Sequence, residues 1–196
     1  MLFRSVHRAA HALSAACTDK FEQARRTVQR FINAPEDREV IFVRGTTEAI
    51  NLVAQTYGRE NIRTGDEIIV SAMEHHSNIV PWQMLREATG AVLRVIPIND
   101  DGELMMDEFD RLLNEKTKIV AVTHVSNALG TVNPISEICC KAREQGARVL
   151  VDGAQSAPHM PIDMQALGPD FFVCAGHKMY GPTGVGVLYR RAEAEA

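Results

Sequence analysis

The stretch KIVAVTHV (118–125), followed by ISEICCKAREQG (135–146) and RVLVD (148–152), decides the fold. The first and last segments are nearly continuous apolar runs of strand length, which is typical of strands buried on both faces. The segment between them has apolar residues at helical spacing and ends at Gly146. A strand, a helix and a strand in succession predict a parallel βαβ unit within an α/β sheet.

The same alternation extends outward from this unit in both directions. Further strands are predicted at 39–43, 67–71, 91–97, 170–175 and 185–190, and further helices at 13–32, 46–58, 77–90 and 106–113. The last strand follows its predecessor too closely for a helical crossover, so we expect it to run antiparallel. No linker composition interrupts the pattern. We therefore predict one domain over 1–196, with a mostly parallel sheet and helices on both faces.

Composition excludes several classes of function. The 196 residues are 45% hydrophobic and 23% charged, with a net charge of −4. This balance disfavours a nucleic-acid partner and a polybasic membrane anchor. No apolar run has the length of a bilayer span, and the first residues lack the uninterrupted apolar core of a signal peptide. The expected location is cytoplasmic. The four cysteines form no CxxC pair, which favours reduced and mostly buried thiols.

Polar residues follow the apolar strands at the point where each strand ends. In open α/β sheets, ligands bind beyond the carboxyl ends of the strands, so these groups should meet at one edge. The segments concerned are Arg44–Glu48, Glu74–His76, Asn127, Asp152–Gln155 and His177–Lys178.

Gly45-Thr46-Thr47 lies between a predicted strand and a predicted helix. The free amides of a first helical turn and the helix dipole favour an anion at such a place. The alternative interpretation is an ordinary threonine N-cap, with Glu48 in the first turn.

Asp152 and Lys178 are the two charged residues that most clearly suggest a functional site. A carboxylate at a buried strand end needs a cationic partner, and the protonated ring nitrogen of pyridoxal phosphate (PLP) would supply one. The alternative for Asp152 is a helix N-cap. A lysine amine near apolar groups and other cations can lose its proton and form a Schiff base. The alternative for Lys178 is a solvated surface charge.

The histidines allow several interpretations. His75 could stack on a cofactor ring, whereas His76 is interpreted as a surface residue of the loop. His7 and His11 have a spacing that metal ligands also use, but no third ligand is evident. We therefore predict no metal site.

Six strings resemble the SufS-type cysteine desulfurases, in the class V aminotransferase group of PLP fold-type I enzymes. They occur in the order and spacing of that family and run through nearly the whole chain. They are VHRAAHALS (6–14), FVRGTTEAINLVA (42–54), MEHHSNIVPWQ (73–83), THVSNALGTVNP (123–134), VLVDGAQSAPH (149–159) and AGHKMYGPTGVGVLY (175–189).

The resemblance implies a large domain of PLP fold type I and a role for each matching residue. Lys178 carries PLP and later moves the Cα proton. Asp152 keeps the pyridine nitrogen protonated, Gln155 hydrogen-bonds the ring oxygen, and His75 stacks on the ring and acts in proton transfer.

For the phosphate and the substrate, the resemblance implies two further groups of residues. Thr47 and His177 bind the phosphate, with Thr46 beside them in the cofactor site. Residues near the substrate are His7, Arg8 and Asn127, the last of which also lies near the ring oxygen.

The activity implied by the resemblance converts L-cysteine to L-alanine and passes sulfur on as a persulfide for iron–sulfur cluster assembly. The implied partners are an acceptor protein of the SufE/SufU type and a second copy in a homodimer. Two alternatives stay open. One is a selenocysteine lyase or another class V enzyme, and the other is a noncatalytic remnant that binds PLP or a partner.

The sequence departs from the family in two respects. Position 175 is Ala, where the family usually has a Ser or Thr that contacts the phosphate, so we expect weaker PLP binding. The chain also lacks the C-terminal small domain with its sulfur-accepting cysteine and its carboxylate-binding arginine. We therefore expect an incomplete large domain that is inactive alone. Cys139, Cys140 and Cys174 are interpreted as core or packing residues.

Overall fold

The computed structural model describes residues 12–192, which contain one seven-stranded sheet. Its order is β1-β7-β6-β5-β4-β2-β3. The strands are β1 (Val40–Val43), β2 (Glu67–Ser71), β3 (Val92–Ile96), β4 (Thr117–Thr123), β5 (Arg148–Asp152), β6 (Phe171–Ala175) and β7 (Gly186–Arg190).

Strand direction confirms the predicted fold class. The neighbours β3, β2, β4, β5 and β6 pair in parallel. Strand β7 runs antiparallel to β6, as predicted, and also antiparallel to β1. Strand β1 therefore runs in the same direction as β2 to β6, so the carboxyl ends of these strands lie along one edge of the sheet.

Helices cover both faces of the sheet. They are α1 (Ala12–Phe31), α2 (Thr46–Val53), α3 (Val80–Thr89), α4 (Met106–Leu112), α5 (Ile135–Glu144) and α6 (Met164–Leu167). Helices α2 and α3 bury their apolar residues in one core cluster, whereas α1, α4, α5 and α6 contribute to the other. Strand β5 joins both clusters, because Leu150 packs in the first and Val149 and Val151 pack in the second. This alternation explains why β5 is apolar throughout.

The predicted end of α2 at Gly58 is wrong. The helical path continues through a π-helical turn, Ala54–Gly58, and ends one turn later at Asn61. Gly58 has φ −60°, which is a right-handed helical value and not that of a left-handed cap. A Cβ atom at Gly58 would lie 2.6 Å from Cδ2 of Leu85. The glycine therefore permits close packing of this segment against α3.

The segment predicted as one helix over 77–90 consists of two pieces. A 3₁₀ turn, His76–Asn78, precedes α3. Pro81 lies in the first turn of α3, as predicted, and Gly90 ends the helix in the left-handed conformation with φ 77°. This 3₁₀ turn contains Ser77 and directly follows His75, two residues that line the cavity described below.

The cysteines agree with the prediction except at one position. Cys139 and Cys174 are buried, and burial raises the pKa of each thiol to about 12. Cys140 is exposed, so its interpretation as a packing residue is wrong. Successive residues of a helix point in directions about 100° apart, so α5 turns Cys140 to solvent when it buries Cys139. Cys17 is half-buried.

Candidate active site

A cavity of about 820 Å³ lies at the edge where the parallel strands end. Residues that follow β1, β2, β4, β5 and β6 line it, so the expected convergence occurs. The predicted site residues in its wall are Thr46, Thr47, His75, Asn127, Asp152, Gln155, His177 and Lys178. His7 and Arg8 lie outside the described residues.

The start of α2 forms one wall of the cavity. Gly45 is the N-cap and provides no side-chain hydrogen bond, so the alternative of a threonine N-cap is wrong. The hydroxyl of Thr46 is buried without a hydrogen-bond partner. Glu48 accepts a hydrogen bond from Nε of Arg44 at 2.8 Å, which ties the residue before the turn to the first turn of the helix. A free hydroxyl and first-turn amides are groups that bind an anion.

Asp152 ends β5 with its carboxylate almost completely buried. One oxygen, Oδ1, accepts a hydrogen bond from the amide of Ala154 at 2.9 Å, and the chain continues into a turn, so Asp152 caps no helix. Burial raises the pKa of Asp152, while the Ala154 amide and the positive charge of Lys178 oppose this rise. A protonated ring nitrogen would stabilise the charged carboxylate further.

Lys178 lies at the end of the 3₁₀ turn Gly176–Lys178, directly after β6. Its side chain is half-buried and lines the same cavity as Asp152. Lys178 also acts electrostatically on both Asp152 and His75. Lys178 therefore lies in the cavity wall, where its charge acts on both groups.

His75 is held in a defined orientation in the cavity wall. Its Nδ1 atom accepts a hydrogen bond from the amide of Ser77 at 3.2 Å and lies 2.8 Å from the hydroxyl oxygen of the same residue. The ring lies 4.0 Å from the ring of His76, centroid to centroid. Partial burial lowers the pKa of His75, and the positive charges of His76 and Lys178 lower it further.

Sequence reasoning missed several residues of the cavity. Thr183 and Gly184 reach it from the loop between β6 and β7, although the sequence assigned neither residue a role. Asn51, Ser77 and Thr123 also line the wall. Glu74 belongs to the segment Glu74–His76 that the sequence places at this edge, but the sequence assigns it no role, and Glu74 is not among the residues that line the cavity.

Within residues 12–192, no group of three or more His, Cys, Asp or Glu side chains could hold a metal ion. In the same range, no helix is both long and apolar enough to cross a bilayer.

We predict that Lys178→Met raises the pKa of His75, because loss of a nearby positive charge makes ring protonation easier. The measurement is a pH titration of the imidazole by NMR. Lys141→Met is the matched control, because Lys141 lies on α5 in ion pairs with Asp110 and Glu137 and does not line the cavity. A His75 pKa that responds equally to both substitutions would contradict the geometry of the site.

Comparisons with known proteins agree with this fold. The aminotransferase class-V family model matches residues 2–196. The chain is 57% identical over 187 residues to a cysteine desulfurase of Shigella sonnei, covering 95% of this chain and 46% of that protein. It is 56% identical over 190 residues to a probable cysteine desulfurase of Mycolicibacterium paratuberculosis, covering 97% and 28% of the two chains.

Two solved structures give the same result. The crystal structure of the cysteine desulfurase CsdA from Escherichia coli matches with a TM-score of 0.88 and 42% identity, over 99% of this chain and 49% of that chain. The apo structure of a cysteine desulfurase from Thermococcus onnurineus NA1 matches with a TM-score of 0.91 and 41% identity, over 95% and 46% of the two chains. The chain spans less than half the length of these relatives. It belongs to the class V aminotransferase family and has the sheet of the PLP fold-type I cysteine desulfurases.

Proposed function

We propose that this chain is the PLP-binding part of a cysteine desulfurase. The observation that carries the proposal is that Asp152, Lys178 and the start of α2 line one cavity at the carboxyl edge of the sheet. PLP needs these three kinds of group: a carboxylate for its ring nitrogen, an amine for its aldehyde carbon and an anion-binding site for its phosphate.

The residues present suit this cofactor in charge and in hydrogen bonding. The buried Asp152 carboxylate lacks a full counter-charge, and the buried hydroxyl of Thr46 lacks an acceptor or donor. Without a ligand, the missing counter-charge and the missing hydrogen bond both raise the free energy of the folded protein. A phosphate beside Thr46, Thr47 and His177, and a protonated ring nitrogen beside Asp152, would supply them. When bound, PLP supplies an electron sink for cleavage of bonds at the substrate Cα.

The residues around the proposed position of the ring would each have a separate role. Lys178 would carry PLP and then accept the proton from the substrate Cα, a role that suits an amine next to other cations. Asp152 would keep the ring nitrogen protonated, and Gln155 would hydrogen-bond the ring oxygen. His75 would cover one face of the ring and act in proton transfer.

Substrate and partners follow from the relatives. The proteins that the chain matches are named cysteine desulfurases, so we propose L-cysteine as the substrate, with Asn127, His7 and Arg8 near it. Sulfur transfer to a SufE/SufU-type acceptor for iron–sulfur cluster assembly, a homodimer and a cytoplasmic location are part of the same proposal. So is a second, small domain outside this chain, since the relatives are more than twice as long.

A second candidate is a PLP-binding protein without sulfur transfer. Among residues 12–192, the cysteines are Cys17, Cys139, Cys140 and Cys174, and none of them lines the cavity. Cys174 follows the apolar pattern of β6 and packs in the core. A persulfide requires a thiolate that reaches the substrate, and none of these four thiols lies in the cavity wall. A selenocysteine lyase or another class V activity would use the same PLP site.

We predict that the purified chain, mixed with PLP, develops the visible absorption band of lysine-bound PLP, and that Lys178→Ala abolishes it. Lys141→Ala is the control, because this lysine is ion-paired away from the cavity and should leave the band unchanged. The same band in both variants would refute the assignment of Lys178.

We predict that Ala175→Ser tightens PLP binding. Ala175 is buried at the end of β6 and lines the cavity, so a hydroxyl there would face the bound phosphate. A hydrogen bond to a charged group contributes about 1.5–3 kcal/mol, which corresponds to roughly a tenfold or larger gain in affinity. The measurement is an absorbance titration with PLP, and equal affinities of the two proteins would contradict the prediction.

We predict that the 196-residue chain with PLP produces little or no alanine from L-cysteine, because no described cysteine lines the cavity. Amino-acid analysis of the reaction mixture measures this directly. Steady alanine formation that survives replacement of all four cysteines by Ser would show that sulfur leaves without a protein thiol.

A further inference from the structure

Glu74 is a buried carboxyl group directly behind the cavity wall. It follows β2, immediately precedes His75 and is 8% exposed. It accepts hydrogen bonds from the hydroxyl of Ser71, from Nδ2 of Asn78 at 2.6 Å and from the amide of Thr123 at 2.8 Å. Neutral donors alone thus surround a group that is costly to bury.

These hydrogen bonds join three segments that are separate in the sequence. Ser71 is the last residue of β2, and Thr123 is the last residue of β4. Asn78 is the last residue of the 3₁₀ turn that follows His75. Asn78 also accepts a hydrogen bond from Nε1 of Trp82 on α3 at 3.0 Å. One carboxyl group therefore fixes the 3₁₀ turn and α3 against the central strands.

Two of the joined segments carry the wall of the proposed PLP site. His75 directly precedes the 3₁₀ turn, Ser77 lies within it, and both line the cavity, as does Thr123 beside the end of β5. The residue after Thr123 donates its amide to the carbonyl of Asp152 at 2.9 Å. A displacement of Glu74 would therefore move the part of the cavity wall that contains His75 relative to Asp152 at the end of β5.

The surroundings of Glu74 act on its charge in opposite directions, because burial disfavours the carboxylate and the three hydrogen-bond donors favour it. Burial raises its pKa to about 7, the three donors oppose this rise, and the carboxylate of Asp152 reinforces it. An amide at this position would accept from Thr123 and Ser71 but would turn a nitrogen toward the amide nitrogen of Asn78. A carboxyl oxygen is needed for all three donors at once.

We propose that Glu74 is a positioning residue of the PLP site, which holds His75 and Thr123 so that the cofactor ring binds in a single orientation. The inference rests on the proposed function, because it assumes that PLP occupies the cavity. Glu74 touches neither cofactor nor substrate and acts through the residues that it fixes.

The test uses Glu74→Gln and the double variant Glu74→Gln/Asn78→Asp. The single variant places two donor groups face to face and breaks the junction. The double variant restores every hydrogen bond, because the new carboxylate at position 78 accepts both from the amide at position 74 and from Nε1 of Trp82. The readouts are PLP affinity, circular dichroism in the absorption band of bound PLP, and thermal unfolding of the PLP-free protein.

We expect Glu74→Gln to weaken PLP binding by about tenfold or more and to reduce the dichroism of the bound cofactor. The double variant should recover both. Glu67→Gln is the matched control: Glu67 is a buried carboxylate at the opposite end of β2, held by Arg94 and Asn114. Its substitution should lower thermal stability without changing the dichroism.

The outcomes separate the two proposals. Absence of PLP binding by the unsubstituted chain would refute the proposed function and this inference with it. Normal PLP binding by the unsubstituted chain, with the same affinity and dichroism in Glu74→Gln, would overturn the inference alone. If Glu74→Gln fails to fold, the double variant decides: recovered affinity and dichroism support the inference, and their absence in a folded protein contradicts it.

Discussion

The buried carboxylate of Asp152 at the end of β5 is the constraint on which the site depends. Burial raises its pKa, and the Ala154 amide and the nearby Lys178 offset this only partly. A charge in this position needs a partner that enters the cavity with a positive group. The protonated nitrogen of a pyridine ring is such a partner, and the proposed site for PLP is built outward from Asp152 on this basis.

The direction of the strands makes this arrangement possible. Since β1 runs parallel to β2, β4, β5 and β6, the residues after all five strands reach the same edge of the sheet. The antiparallel β7 lies between β1 and β6 and brings the Thr183–Gly184 loop to the same cavity. Behind this edge, Glu74 connects the ends of β2 and β4, so the polar wall rests on hydrogen bonds as well as on the apolar core.

Local patterns in the sequence predicted most of the fold and much of the site. Apolar runs identified the strands, and polar residues at strand ends identified Thr46, His75, Asp152 and Lys178, because both signals are properties of contiguous residues. The prediction failed where long-range packing decides. Gly58 looked like a helix end but serves a close contact with Leu85. The sequence placed Glu74 at the correct edge but indicated no role for it, because it accepts a hydrogen bond from Thr123, 49 residues away, a pairing that no local pattern encodes.

The most direct test is to locate the attachment of PLP by borohydride reduction of the PLP-treated chain, followed by digestion and mass spectrometry. The account predicts a pyridoxyl group on Lys178 and none on Lys20, Lys116, Lys118 or Lys141. Pyridoxyl label spread over these other lysines, or its absence from the peptide that contains Lys178, would contradict it.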